Sequence, residues 1–176
     1  MILMHVFFDR WHFLSPGTKW LLLFMLLIIG LGSFIIYHMV SDQKSIRDIR
    51  CLALNIYHEA RGESGEGQLA VATVTLNRVD SHRYPDNVCD VVRQYGWNPR
   101  LQRHVSAFSW TGDQLSDIPQ NSKAWQSAVV LTRRVLDGER HPQLGEALFY
   151  HADHIKPGWA KRKTQIAKIG RHVFYP

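Results

Sequence analysis

Glu59 stands where a carboxyl group can do acid–base work. It follows Ile56 by three residues and Leu52 by seven, so on a helix it extends an apolar stripe. Arg61-Gly62-Glu63-Ser64-Gly65 then interrupts the helix, which puts Glu59 in its last turn. A carboxyl at the edge of an apolar face loses solvation, and the negative end of the helix dipole acts in the same direction, so its pKa rises. A carboxylic acid still protonated near neutral pH is what general-acid cleavage of a glycosidic bond requires. The same position would also suit a buried ion pair with Arg61 or Arg78. Glu63 and Glu66 fall in the exposed turn, and Glu66 suits the positive first turn of the following helix.

Other chemistries find less support. His58-Glu59-Ala60-Arg61-Gly62 begins like the zinc motif H-E-x-x-H but has glycine in the fifth position. His151, Asp153 and His154 offer ligand types within four residues, yet such clusters arise by chance in a chain with 10 histidines. No metal and no cofactor is expected. Gly62, Gly65 and Gly67 match neither phosphate-binding glycine pattern. Cys51 and Cys89 are the only thiols, and Cys89 lacks an electropositive setting for a nucleophile. In an oxidising compartment the two could pair, closing a loop of about 38 residues and stabilising the fold by roughly 3–4 kcal/mol. Two buried free thiols are the alternative.

These residues need elements to position them. Ile46, Ile49, Leu52, Ala53, Ile56 and Ala60 recur at spacings of three and four, which predicts a helix over 45–60. Ser64 is placed to cap a second helix reaching about Val79, with Leu69, Ala72, Thr73, Leu76 and Val79 inward. Ser81 to Pro85 reads as a turn and Val88 to Tyr95 as a short third helix. Residues 96–121 are polar and irregular around Trp97, Phe108 and Trp110, the composition of a binding loop. Asn121 or Ser122 caps a helix over Lys123–Leu136 that buries Trp125, Ala128, Val129, Thr132 and Val135, and Asp137-Gly138 ends it. Residues 147–150 and 171–175 read as a small antiparallel pair. The expected class is α+β, mainly helical with a minor sheet.

Length and composition fit one globular domain plus an extra segment: 176 residues, 45% hydrophobic and 20% charged. The extra segment is Trp20 to Val40, which carries no Asp, Glu, Lys or Arg and is long enough to cross a bilayer. It exceeds a usual signal-peptide core and no small-residue cleavage site follows, so an uncleaved anchor is expected. The organisation is then a cytoplasmic segment 1–19, an anchor 20–40, a tether 41–47 and a domain 48–176. The net charge of +6 is uneven: from His154 onward there are Lys156, Lys161, Arg162, Lys163, Lys168 and Arg171 and no acid. That stripe attracts polyanions. No helix-turn-helix, zinc-finger or RNP-type pattern accompanies it, so nucleic acid is not an expected partner.

Residues 51–79, CLALNIYHEARGESGEGQLAVATVTLNRV, resemble the signature of the cell wall hydrolase family typified by the spore-cortex-lytic enzyme SleB. The resemblance continues through DNVCDVVRQ (86–94), FSW (108–110), AW (124–125), ALFYHADHIKPGWA (147–160) and IGRHVFY (169–175). It covers nearly all of 48–176 and thins in the middle loop. It implies a lysozyme-like fold and cleavage of peptidoglycan between N-acetylmuramic acid and N-acetylglucosamine. The first Glu of the EARGE-type motif, here Glu59, would be the acid/base that protonates the leaving oxygen. Water then completes hydrolysis, or the sugar's own 6-hydroxyl closes an anhydro ring. The second route needs one carboxyl, whereas a hydrolase normally places two about 5–9.5 Å apart; Asp113, in the least regular loop, is the nearest second candidate.

A glycan groove needs aromatic faces and amide contacts. Trp110, Tyr150 and Trp159 are candidates for the first, and Gln68, Asn77 and His151 for the second. Peptidoglycan as partner, together with a disulfide, would put residues 48–176 on the periplasmic or outer side of a bacterial cytoplasmic membrane. An anchored wall-binding or scaffold protein without chemistry is the non-enzymatic alternative.

Overall fold

Helix α1 runs unbroken from Pro16 to Ala60, 45 residues, in a computed structural model that describes residues 15–98 and 101–176. Residues 1–14 of the expected cytoplasmic segment lie outside the described residues. The helix expected over 45–60 is the C-terminal part of α1. Residues 41–47, expected as a tether, are helical too. They contain neither Gly nor Pro, and extending an existing helix requires no new nucleus. The large apolar side chains from Trp20 to Val40 are all exposed, and α1 is long and apolar enough to cross a membrane. Two compact units meet in sequence at Lys44 and Ser45.

In the second unit, Ser64 caps α2 (Gly65–Asp80), its Oγ accepting the Gly67 N–H at 3.3 Å. The expected one-sided apolar face is only half of what α2 buries. Ala70, Val71 and Val74 are fully buried as well, because α2 has packing partners on both sides. One side joins the C-terminal turns of α1, α3 (Val88–Val92), Phe108, Trp110 and α4 (Ser122–Leu136). On the other, Ala70 and Val74 meet Leu144, Ala147, Ile169 and Phe174. Small and β-branched side chains let two layers approach one helix closely.

The third helix stops at Val92, short of the expected Tyr95. Tyr95–Asn98 instead forms β1, antiparallel to β2 (Arg103–Ser106), and a 3₁₀ turn follows at Ser109–Thr111. The segment expected to be irregular therefore holds an antiparallel pair. Tyr95, Trp97 and Val105 are strand formers, and Trp97 meets His104 across the pair with ring centroids 5.4 Å apart. Asn121 caps α4, accepting the Ala124 N–H at 3.0 Å.

β3 (Phe149–Ala152), β4 (Ala167–Ile169) and β5 (His172–Tyr175) form an antiparallel sheet in the order β3-β5-β4. The expected pair is present, its first strand two residues later than anticipated and joined by β4. Tyr150 lies opposite Phe174 and Ala152 opposite His172, so these four share the face toward the helices. The chain adopts the mainly helical α+β architecture with minor antiparallel sheets.

Cys51 and Cys89 form a disulfide between α1 and α3. Reducing it in the full-length chain, held in detergent micelles, should lower unfolding free energy by roughly 3–4 kcal/mol. Thermal unfolding with and without reductant reads this directly; identical midpoints would contradict it.

Candidate active site

The last turns of α1 are held from three sides. Asn55, fully buried, donates Nδ2–H to Thr75 Oγ1 at 3.0 Å, and its Oδ1 accepts Trp110 Nε1–H at 3.1 Å. Tyr57 OH accepts the backbone N–H groups of Gln120 and Asn121, both at 3.0 Å. The disulfide fixes the same helix two turns earlier. Glu59, partly buried, thus projects from a helix end with little freedom to move.

Its one hydrogen-bond partner among the described residues is Tyr150, whose OH donates to Oε2 at 3.0 Å. Period-two alternation turns Tyr150 toward Glu59, and α2 sets the strand's position. Asn77 Nδ2 donates to the carbonyls of Gly145 at 2.7 Å and Ala147 at 3.0 Å, and Arg78 Nε to that of Leu148 at 2.9 Å. Both candidate ion-pair partners of Glu59 are engaged elsewhere. Arg61 lies over the Tyr57 ring at 5.0 Å; the Arg78 guanidinium sits between Phe108 and Tyr84, at 5.2 and 5.4 Å.

Burial pushes the Glu59 carboxyl above its ordinary range. The Tyr150 hydrogen bond and the charge of Arg78 pull it back without cancelling the rise. Burial, and then the charge of Glu59, push the Tyr150 hydroxyl well above its ordinary value, so it stays a donor.

Glu59 lines a recess of about 220 Å³ with Glu63, Ala152, His154, Arg171 and His172. Glu63 is the second carboxyl there. Its burial raises its pKa, but hydrogen bonds and charge from Arg171 outweigh that and keep it low. His172 is buried, with its ring edge-on to Tyr150 and no partner for Nδ1 among the described residues; burial lowers its pKa. In the sequence Arg171 stands out only as one member of the basic stripe, and His172 not at all. The alternation in Arg171-His172-Val173-Phe174-Tyr175 was the signal available, since it puts His172 and Phe174 on the face of β5 that Tyr150 shares.

Of the residues singled out for substrate contact, only Tyr150 meets Glu59. Trp110 is 7% exposed, stacked on His58 at 4.6 Å; the exposed aromatics nearby in sequence are Tyr95 and Trp97, at 57% and 55%. Asn77 commits its amide group to two carbonyls. Gln68 donates to the Glu63 carbonyl at 3.2 Å and faces a separate groove between α2 and α4. His151 points to the opposite face of β3, bonded to Tyr175 OH at 3.1 Å, and Trp159 packs against His151, Phe149 and Tyr175 there. Asp113 is exposed and accepts the Leu115 N–H at 2.9 Å.

A raised Glu59 pKa has a consequence for stability. The ionised form is disfavoured in the folded state, so its cost grows as pH rises past the ordinary value of 4.5 and levels off above the raised one. Glu59→Gln should therefore unfold at a higher temperature than the parent at neutral pH, with the advantage fading at pH values below 4.5. Melting curves across that range test it; a pH-independent difference would contradict the raised value.

The sequence pattern of the cell wall hydrolase family matches residues 62–175, beginning three residues after Glu59. The chain is 37% identical over 132 residues to the spore cortex-lytic enzyme of Oceanobacillus iheyensis, covering 74% of this chain and 42% of that protein. To the Bacillus subtilis spore cortex-lytic enzyme it is 34% identical over 131 residues, covering 74% and 38%. The chain thus spans less than half the length of these curated relatives. Its fold is similar to the catalytic domain of SleB from Bacillus cereus, with a TM-score of 0.53 and 33% identity over 73% of this chain and 89% of that one. It is equally similar to the catalytic domain of the germination-specific lytic transglycosylase SleB from Bacillus anthracis, with a TM-score of 0.53, 34% identity and coverage of 73% and 93%. With its C-terminal two thirds matched throughout, the chain belongs to the cell wall hydrolase family.

Proposed function

We propose that this chain cleaves the glycan strands of peptidoglycan between N-acetylmuramic acid and N-acetylglucosamine, with Glu59 as sole acid and base. The observation that carries this reading is a desolvated carboxyl, free of any ion pair among the described residues, in the wall of a recess. Protonated Glu59 donates to the glycosidic oxygen as the bond from the muramic acid C1 breaks. The carboxylate left behind is stabilised by the Tyr150 hydroxyl. It then removes the proton from the same sugar's 6-hydroxyl, whose oxygen closes on C1 to give an anhydro end. Glu59 finishes protonated, and no water is consumed.

Anhydro closure is preferred over hydrolysis because both oxygens of the other carboxyl in the recess, Glu63, are taken up by hydrogen bonds from Arg171. A two-carboxylate hydrolase would need that group free to act on water or sugar. Residues 20–40 anchor the enzyme in the cytoplasmic membrane, and 48–176 act on its outer side. The Cys51–Cys89 bond supports that side, since disulfides persist in oxidising compartments.

The full-length chain in detergent, incubated with purified sacculi, should release soluble muropeptides with anhydro ends, resolved by mass spectrometry. Glu59→Gln should slow release by about 10²–10⁴-fold, and the parent's rate should fall as pH rises through the Glu59 pKa. Reducing ends would assign hydrolysis instead. Binding to sacculi without release would make the chain an anchored wall-binding protein.

A further inference from the structure

Arg171 is fixed at one end and open at the other. Its backbone N–H and Nε donate to the two Glu63 carboxyl oxygens, at 3.1 and 2.7 Å, and the Glu63 side chain is only 5% exposed. The terminal Nη groups have no acceptor among the described residues, and the side chain as a whole is 71% exposed. A buried carboxylate therefore aims the guanidinium while its outer edge remains free.

The backbone is shaped around this pair. Gly170 adopts φ 54°, and a Cβ there would overlap Glu63 Oε2. A Cβ on Gly67 would stand 2.8 Å from Glu63 Cβ. Ordinary surface ion pairs contribute little and need no such accommodation. Arg171 also lines the recess that holds Glu59, within a stretch from His154 to Pro176 that contains no acid. Lys156, Lys161 and Arg162 in that stretch have no ion-pair partner among the described residues. The free guanidinium edge matches a carboxylate in shape and charge.

We propose that Arg171 is a specificity residue that takes a carboxylate carried on the lactyl arm of the muramic acid: one on the peptide stem where a stem is attached, and the arm's own where none is. This rests on the substrate class proposed above. Uncharged glycans of the same backbone would lack the contact.

Three substrates test it with the full-length chain: native sacculi, sacculi with all carboxyls converted to methylamides, and glycan stripped of stems by an amidase, which keeps the lactyl carboxylate. The parent should lose about tenfold in kcat/KM on the methylamidated wall, mainly through KM. Arg171→Gln should be equally slow on native and methylamidated walls. The double variant Glu63→Gln/Arg171→Gln, which leaves no orphan buried charge, should behave in the same way. Stripped glycan cleaved at the native rate shows that the lactyl carboxylate freed by the amidase serves Arg171 as well as a stem carboxylate does, and at the methylamidated rate that only the stem serves. Equal parent rates on native and neutralised walls, or an undiminished preference in both variants, would overturn the proposal. Glu59→Gln binding to the native and neutralised walls reads the same preference without turnover. Preference without cleavage would sink the enzymatic reading alone; cleavage without preference would sink this one alone.

Discussion

The candidate site depends on a carboxyl group taken largely out of water without an ion-pair partner among the described residues. Glu59 has two arginines near it in sequence or space, and neither neutralises it. Arg78 is the instructive one: buried in its own right, it is held by the Leu148 carbonyl and flanked by two ring faces. Had that guanidinium been free to reach Glu59, the carboxyl would be pinned in its ionised form. What meets the carboxyl instead is a neutral phenol that can follow it through both protonation states, accepting no proton and donating one hydrogen bond.

The scaffold explains why so short a sheet suffices. Helix α2 is the central layer, packed on α1 and α4 on one side and on β5 on the other. Asn77 and Arg78, adjacent on α2, grip the backbone that leads into β3, so the register of Tyr150 against Glu59 is set by a helix. Asn77, read from sequence as a sugar contact, spends its side-chain N–H groups on two backbone carbonyls of this frame. The neighbouring pair Glu63 and Arg171 closes the far wall and ties the turn after α1 to the turn before β5.

Local rules made much of this legible. The apolar stripe of α1, the Ser64 and Asn121 caps and the two strand segments all follow from spacing and residue type, because each is decided within a few residues; the cysteine pairing does not, since two free thiols fit the sequence as well. Glu59 stood out for the same reason, as a charged residue on an apolar face. The unread part depends on long-range pairing. That α2 is buried on two sides, that His151 points away from the site while Tyr150 points into it, and that Trp110 fills the core beside Asn55 all require knowing which elements meet. Composition misled in the middle loop, where polar residues hid an alternation of Tyr95, Trp97 and Val105 strong enough to pair.

Carbon-13 titration of the Glu59 side-chain carboxyl, in the full-length chain labelled at glutamate and assigned by difference from Glu59→Gln, reads whether this group holds its proton. The midpoint should lie above the ordinary 4.5 and move higher still in Tyr150→Phe, where the hydrogen bond that stabilises the carboxylate is gone. A midpoint at or below 4.5 would contradict it, since Glu59 would then meet the substrate without a proton to give.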